Sequence, residues 1–390
     1  MACYGTTFAP RFYILNNFKQ LGIAKDFVKA LDEMNIKHPT QVQQEVIPLL
    51  LSGRMDLVAQ AQTGTGKTAA YGLPVLQQIS HANKSIQALI LCPTRELGQQ
   101  VAKQMFKYTK YAENKVFTES VYGGAPIDKQ ISALKRPTQI LVATPGRLVD
   151  LLNRKAVDLS NVFTVVLDEA DEMLSLGFKK ELEQILTHLQ EVQNKWLFSA
   201  TMPDGIRHII KKFLHSSAAK ITINPKSSVN KNIDHQFIIC EETDKLEYLL
   251  RLLKFQKGGE RGIIFCKTKV ATTKLSKQLQ AKNYKVDCIQ GDMLQKDRDK
   301  VMRAFKKESL QFLVATDLAA RGIDVPDLAF VIHYQLPDKE EYYTHRSGRT
   351  ARAGKTGVSL ALVTSKELKS LRYFEKALNI GFHQIRQKNG

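Results

Sequence analysis

Long apolar runs are missing from this 390-residue chain. No window approaches the ~18 uncharged apolar residues of a membrane span, and Met1 to Asn17 holds no apolar core of signal-peptide length. Neither a membrane-spanning nor an exported protein is expected, which leaves the cytoplasm. Cysteine is scarce too. The five (Cys3, Cys92, Cys240, Cys266 and Cys288) are scattered, with no CxxC pair and no histidine at metal spacing. This excludes a disulfide scaffold and a thiolate zinc site. Four of the five lie in or beside apolar runs, as small buried hydrophobes in a reducing compartment would. Proline is held to 12 residues against 22 glycines, with no low-complexity tract or short repeat, which excludes a fibrous chain. Acidic residues are the last shortage. Thirty-eight Asp and Glu face 57 Lys and Arg, a net charge of +19, so an anionic partner is expected. Nucleic acid leads, because neutralised phosphates release counterions.

What is present is an alternation. Dividing the length by a domain size of about 150 residues gives two or three domains. Short apolar runs at 57–59, 88–92, 140–143, 163–167 and 196–198 are separated by amphipathic helical stretches, the pattern of βαβ units around a parallel sheet. After Lys220-Ile-Thr-Ile-Asn224 the polar stretch 225–232 has no periodicity and is read as a linker. Strand-like runs resume at 237–240, 262–266, 286–289, 312–315, 330–334 and 358–363, with charged helical segments between them such as 269–282 and 295–307. The expected division is an N-terminal extension (1–17), a first α/β domain (18–224), the linker (225–232), a second α/β domain (233–378) and a basic tail (379–390). The halves look like two copies of one architecture, of which only the first carries a phosphate-binding loop.

That loop is Ala61-Gln62-Thr63-Gly64-Thr65-Gly66-Lys67-Thr68, which follows a strand and opens a helix, with alanine in place of the usual first glycine. Gly64 and Gly66 let backbone N–H groups face phosphates, Lys67 adds a positive charge and the Thr68 hydroxyl can ligate Mg²⁺. A plain glycine turn is the alternative, and the strand and helix on either side weigh against it. About 100 residues on, the apolar run 163–167 ends in Asp168-Glu169-Ala170-Asp171. Strand C-termini in open α/β sheets face the ligand crevice, so Asp168 suits the metal's shell and Glu169 suits orienting or deprotonating a water. Acidic residues at a solvated helix start are the bland alternative. In the second half, Arg346, Arg349 and Arg352 recur every third residue after His345, near one face if that segment is helical.

With the phosphate loop, Asp168-Glu-Ala-Asp171 makes the chain resemble the DEAD-box RNA helicases of helicase superfamily 2. The resemblance runs from about Phe18 to about Leu378. It takes in Pro93-Thr-Arg-Glu-Leu97, Gly123-Gly124, Thr144-Pro-Gly-Arg147, Ser199-Ala-Thr201, Ile263 to Thr268, Ala315 to Asp324 and His345 to Arg352. It implies two tandem RecA-like domains, each a parallel sheet flanked by helices, joined by a short linker, with ATP and Mg²⁺ as cofactors and RNA gripped by its backbone without sequence preference. A monomeric core is expected. Gln43, in Pro39-Thr-Gln-Val-Gln43, is implied as the adenine reader, since its amide donates and accepts at once. The resemblance implies that Phe18 braces that segment. Asn35 and Ile36 stand where the family has a glycine and an aromatic residue, so the adenine face is met by apolar contact rather than stacking. The resemblance implies that Arg349 and Arg352 are arginine fingers, that Asp324 contacts the ribose and that His345 organises the γ-phosphate region. Asp171, Ser199 and Thr201 are implied to couple the nucleotide to the domain interface. The implied RNA path is Thr94, Arg95, Gly123, Gly124, Thr144, Gly146 and Arg147 in the first half, with Gly291, Gln295 and Thr316 in the second. Ser347 and Ala351 stand where the family often has an aliphatic residue and a glycine. Two rivals stand beside the RNA helicase: a DNA-directed superfamily 2 motor, and a slow ATP-gated RNA clamp serving as a scaffold.

Overall fold

A computed structural model describes residues 17–62, 64–189, 192–223, 232–255, 259–320, 328–351 and 355–385. Thr63, Asp324, Arg352, Cys3 and all but Asn232 of the expected linker lie outside the described residues.

The first half forms one seven-stranded sheet from β1 (Leu57–Gln60), β2 (Ala88–Leu91), β3 (Thr118–Val121), β4 (Ile140–Ala143), β5 (Thr164–Leu167), β6 (Asn194–Ser199) and β7 (Ala219–Thr222). The second half forms another from β8 (Ile233–Ile239), β9 (Gly262–Phe265), β10 (Val286–Ile289), β11 (Phe312–Ala315), β12 (Phe330–His333), β13 (Gly357–Val363) and β14 (His383–Gln384). Their orders are β3-β4-β2-β5-β6-β1-β7 and β10-β11-β9-β12-β13-β8-β14, so strand for strand the two halves have the same topology. The pairings are parallel throughout.

Continuous apolar sequence explains the central strands. Ala88–Leu91, Ile140–Ala143, Thr164–Leu167 and Phe312–Ala315 are buried at every residue, as a parallel strand covered by helices on both faces must be. Each half accordingly has apolar clusters on both sides of its sheet. In the first, Leu57, Ile90, Val142 and Trp196 face one way and Leu89, Leu141, Val165 and Leu197 the other.

Three strands escape the apolar-run rule, and β8 starts four residues earlier than the run at 237–240; β7 reads Ala-Lys-Ile-Thr at one edge of its sheet. β3 reads Thr-Glu-Ser-Val and is half-buried at an edge of the sheet. β14 corrects the basic tail expected from 379. Phe382 is buried, its ring centroid 5.3 Å from that of Tyr343, and His383–Gln384 pairs with β8 at Gln236 and Phe237. The second domain therefore reaches at least Ile385. Cys92, Cys240 and Cys266 are buried free thiols and Cys288 is half-buried, in keeping with their apolar neighbourhoods. No helix among the described residues is long and apolar enough to cross a membrane.

Candidate active site

Three adjacent strands, β5, β6 and β1, end side by side and deliver the first half of the site. From β1 comes the phosphate loop, anchored by the Ala61 N–H donating to the Ser199 carbonyl at 3.0 Å. Gly64 and Gly66 take φ of 81° and 92°, the left-handed region that glycine enters at no steric cost. Gly66 has a second reason to lack a side chain, since a Cβ there would meet Gln43 Nε2 at 2.4 Å. Lys67 is buried at the start of the helix Lys67–Gln78 and donates to the Ala61 carbonyl at 2.9 Å, folded back into the loop. Thr65 closes the turn on the Gln62 carbonyl at 2.7 Å.

Gln43 is tied at both ends of its amide. Oε1 accepts from the Thr40 N–H at 2.9 Å and Nε2 donates to the Gly66 carbonyl at 3.0 Å, which joins the helix Gln41–Leu51 to the phosphate loop. One lone pair and one N–H remain for an adenine edge. Phe18 is buried in the same apolar cluster as Val42 and Val46, beneath this helix. Asn35 adopts φ 58°, the conformation a glycine would take, which asparagine tolerates better than most residues. Ile36 packs against the same core. Gln43→Ala should raise the KM for ATP and relax discrimination against GTP, because losing a bidentate base pair costs about 1–3 kcal/mol. KM values for ATP and GTP, measured side by side, check this, and an unchanged ratio would free Gln43 of base reading.

β5 delivers the carboxylates. Asp168 is buried, and burial pushes its carboxyl above the ordinary aspartate range, with the Lys67 ammonium opposing. Its Oδ2 accepts a 2.7 Å hydrogen bond from the Tyr71 hydroxyl, while Oδ1 is buried without a protein partner. A hydroxyl at Thr68 and a spare carboxylate oxygen at Asp168 are the hard oxygen donors that Mg²⁺ takes beside phosphate and water, so these residues fit the ion. Glu169 sits at φ 51°, a strained conformation for a side chain of this size, at the start of the helix Ala170–Ser175. Burial raises its carboxyl as well, opposed by Lys67 and, from the other domain, by Arg349. Asp171 turns away from this pair. Its Oδ2 accepts from the Thr201 N–H at 2.7 Å and the Thr201 hydroxyl at 2.8 Å, and its own N–H donates to Ser199 Oγ at 3.3 Å. The three residues expected to act as couplers thus form one hydrogen-bonded unit between β5 and β6.

The facing wall comes from the helix Glu340–Ser347. It stops at Ser347, so Arg346 and Arg349 do not share a helical face. Arg346 points inward and is 1% exposed, bidentate to Asp317 at 2.5 and 2.8 Å and donating to the Gln335 carbonyl at 2.7 Å. Arg349, past the helix end, is the arginine whose charge reaches Glu169. His345 meets Glu172 of the first domain. Burial works against its charged form, but the Glu172 hydrogen bond and charge outweigh it, so its pKa is raised. Ser347 lies in a buried polar cluster, 2.8 Å from Ser359 Oγ, and Ala351 takes φ 56°, the strained conformation a glycine would relieve.

Two more ion pairs span the domains in opposite senses. Arg95 donates to Asp299 at 3.1 Å, and Arg298 donates to its neighbour Glu96 at 2.7 Å. Glu96 stands out in the sequence only as a member of the run Pro93 to Leu97, and Arg298 only as one charge of the helical segment 295–307.

Known proteins share this arrangement. The DEAD/DEAH box helicase family model matches residues 40–209, and the helicase conserved C-terminal domain matches residues 244–354. The DEAD-box ATP-dependent RNA helicase CshA of Geobacillus kaustophilus is 40% identical over 362 residues, 93% of this chain and 76% of that protein. The chain belongs to the DEAD-box ATP-dependent RNA helicases. S. cerevisiae Dbp5 bound to RNA and ADP BeF3 matches with a TM-score of 0.86 at 29% identity, over 95% of each chain. A DEAD box protein from Methanococcus jannaschii is 39% identical over 95% of this chain and 99% of its own, yet its TM-score is 0.55. The superposition on the yeast protein spans both domains of this helicase.

The residues expected on the helicase's RNA path divide into two groups. Gly123, Gly124 and Gly291 are exposed, and a Cβ on Gly124 would lie 3.7 Å from Gln295 Oε1 across the domain boundary. Thr94 and Thr316 cap helix starts through Leu97 and Ala319, and Thr144 and Gly146 lie at the start of the helix Pro145–Asn153. Both arginines are committed elsewhere. Arg147 is buried and holds the glycine turn by donating to Gln130 Oε1 at 2.9 Å and the Ala125 carbonyl at 3.0 Å. Arg95 pairs with Asp299 and stacks over Tyr122, 4.6 Å from the ring centroid. Gln295 also turns to Asp299, at 2.8 Å.

Proposed function

We propose that this helicase hydrolyses ATP when RNA and nucleotide together close its two domains, and that closure separates strands locally rather than by translocation. The observation that carries this reading is the pair of crossed ion pairs between the domains, Arg95–Asp299 and Glu96–Arg298, with the charge of Arg349 reaching Glu169 from the second domain. Half of the hydrolytic constellation is absent whenever the domains part. Lys67 and the loop amides would hold the β- and γ-phosphates, and Glu169 would orient the attacking water and take its proton. Arg349 would meet the charge that develops on the transferred phosphoryl group. Thr68 and Asp168 would hold Mg²⁺, which neutralises phosphate charge when bound. Asp171, held by Thr201 and Ser199, connects the carboxylate strand to the wall that His345 faces.

Magnitudes favour local action. At about 1.4 kcal/mol per base-pair step, the roughly 18–21 kcal/mol ceiling of non-covalent binding could open no more than about 15 pairs per closure. RNA would be gripped through exposed turns and helix starts on both domains, a backbone-directed contact that favours ribose 2′-hydroxyls. We place the activity in the cytoplasm, in a monomeric core.

The crossed ion pairs supply the test. Glu96→Arg should raise the RNA concentration needed for half-maximal ATPase about tenfold or more, since opposed like charges at an interface cost several kcal/mol. Adding Arg298→Glu should recover much of that loss. Recovery will be partial because Arg298 also donates to the Ala319 carbonyl at 2.9 Å. If the single reversal leaves RNA stimulation unchanged, closure through this face does not drive turnover.

A further inference from the structure

Tyr71 lies one turn beyond Lys67 and three residues beyond Thr68, on the face of the helix Lys67–Gln78 that meets β5. Its side chain is fully buried, with its ring 5.2 Å from that of Phe198 at an interplanar angle of 56°. Packing alone would be served by any aromatic ring. The hydroxyl does something further: it donates to Asp168 Oδ2 at 2.7 Å. Asp168 is one of the two residues whose oxygens fit the metal, and its Oδ1 is left buried with no protein partner.

We propose that Tyr71 is a positioning residue for the divalent metal: by donating its hydroxyl hydrogen bond to Asp168 Oδ2, it fastens that oxygen and leaves Asp168 Oδ1 aimed at the ion's coordination shell. A carboxylate with one oxygen fastened loses its rotational freedom before the metal arrives. This prepays ordering that the ion would otherwise have to impose, and losing a hydrogen-bond partner of a metal ligand typically weakens metal binding about 10–100-fold. The inference rests on reading the cleft as a metal–nucleotide site.

Mn²⁺ binding to the ADP complex of the full chain, followed by electron paramagnetic resonance, tests it. Tyr71→Phe keeps the ring against Phe198 and should weaken Mn²⁺ binding about tenfold. Affinity for a fluorescent ADP in EDTA should stay unchanged, which reads the integrity of the pocket without metal. In turnover, the half-saturating Mg²⁺ concentration should rise while the KM for ATP at saturating Mg²⁺ stays fixed, a split that mere loosening of the core would not produce. Unchanged Mn²⁺ affinity in Tyr71→Phe overturns the role of Tyr71, as does a parallel loss of metal-free ADP binding. Failure of the wild-type protein to bind Mn²⁺ more tightly than ADP alone does would instead overturn the metal–nucleotide reading.

Discussion

Glu169→Gln should lower ATP turnover at saturating RNA by at least about 100-fold while leaving ATP and RNA binding in place. Glutamine keeps the volume and can still accept a hydrogen bond through its carbonyl oxygen, so the strained φ of 51° at this position persists. What is lost is a group that can accept a proton. Burial raises the Glu169 carboxyl, bringing its basicity closer to the range useful for abstraction near neutrality, while Lys67 and Arg349 keep the ionised form accessible. Steady-state ATPase at saturating RNA, with nucleotide and RNA affinities measured on the same protein, decides the matter. Near-normal turnover would rule Glu169 out as the base.

Arg349→Ala should also cost roughly 100-fold or more in turnover, because an arginine finger acts on charge that appears only in the transition state. ATP affinity should fall far less. Its neighbour in the sequence, Arg346, gives a useful contrast: bidentate to Asp317 and 1% exposed, it is part of the second domain's core, and its removal should unfold that region rather than slow hydrolysis selectively. Residues 1–224 alone should bind nucleotide weakly and respond little to RNA, since Arg349 and half of the RNA grip are then missing. RNA-stimulated ATPase of the substituted and truncated proteins beside the intact chain is the deciding comparison. A first half that matched the intact rate would sink the two-domain mechanism.

The parts legible in the sequence are those written in consecutive residues. Central strands such as Ala88–Leu91 are apolar throughout because helices cover both faces, and that pattern needs no knowledge of neighbours. Edge strands lack it. Thr118–Val121 pairs on one side only and carries Thr, Glu and Ser, while His383–Gln384 is two residues long and owes its place to the burial of Phe382 beside it. The phosphate loop and the carboxylates could be read from local spacing, whereas Ser199 and Thr201 were legible only through the family resemblance, 28 and 30 residues from Asp171. Partnerships across the cleft could not, since Glu96 and Arg298 meet from positions 202 residues apart. Arg147 shows the converse difficulty. Beside a glycine turn, a guanidinium reads as a phosphate ligand, and only the structure reveals that Gln130 and the Ala125 carbonyl have already claimed it.

The crossed polarity of Arg95–Asp299 and Glu96–Arg298 bears on how the domains find each other. Each partner surface carries one positive and one negative charge side by side, so at a distance it presents a dipole rather than a net charge, and the field between the two falls off steeply. Such a pattern draws the domains together only over the last few ångströms and penalises any docking shifted by one residue, where like charges would coincide. It acts as a key for registry rather than a long-range attractor. Added salt, with a screening length of about 8 Å at 0.15 M, should therefore weaken capture of RNA much more than it weakens the final seating of one domain on the other.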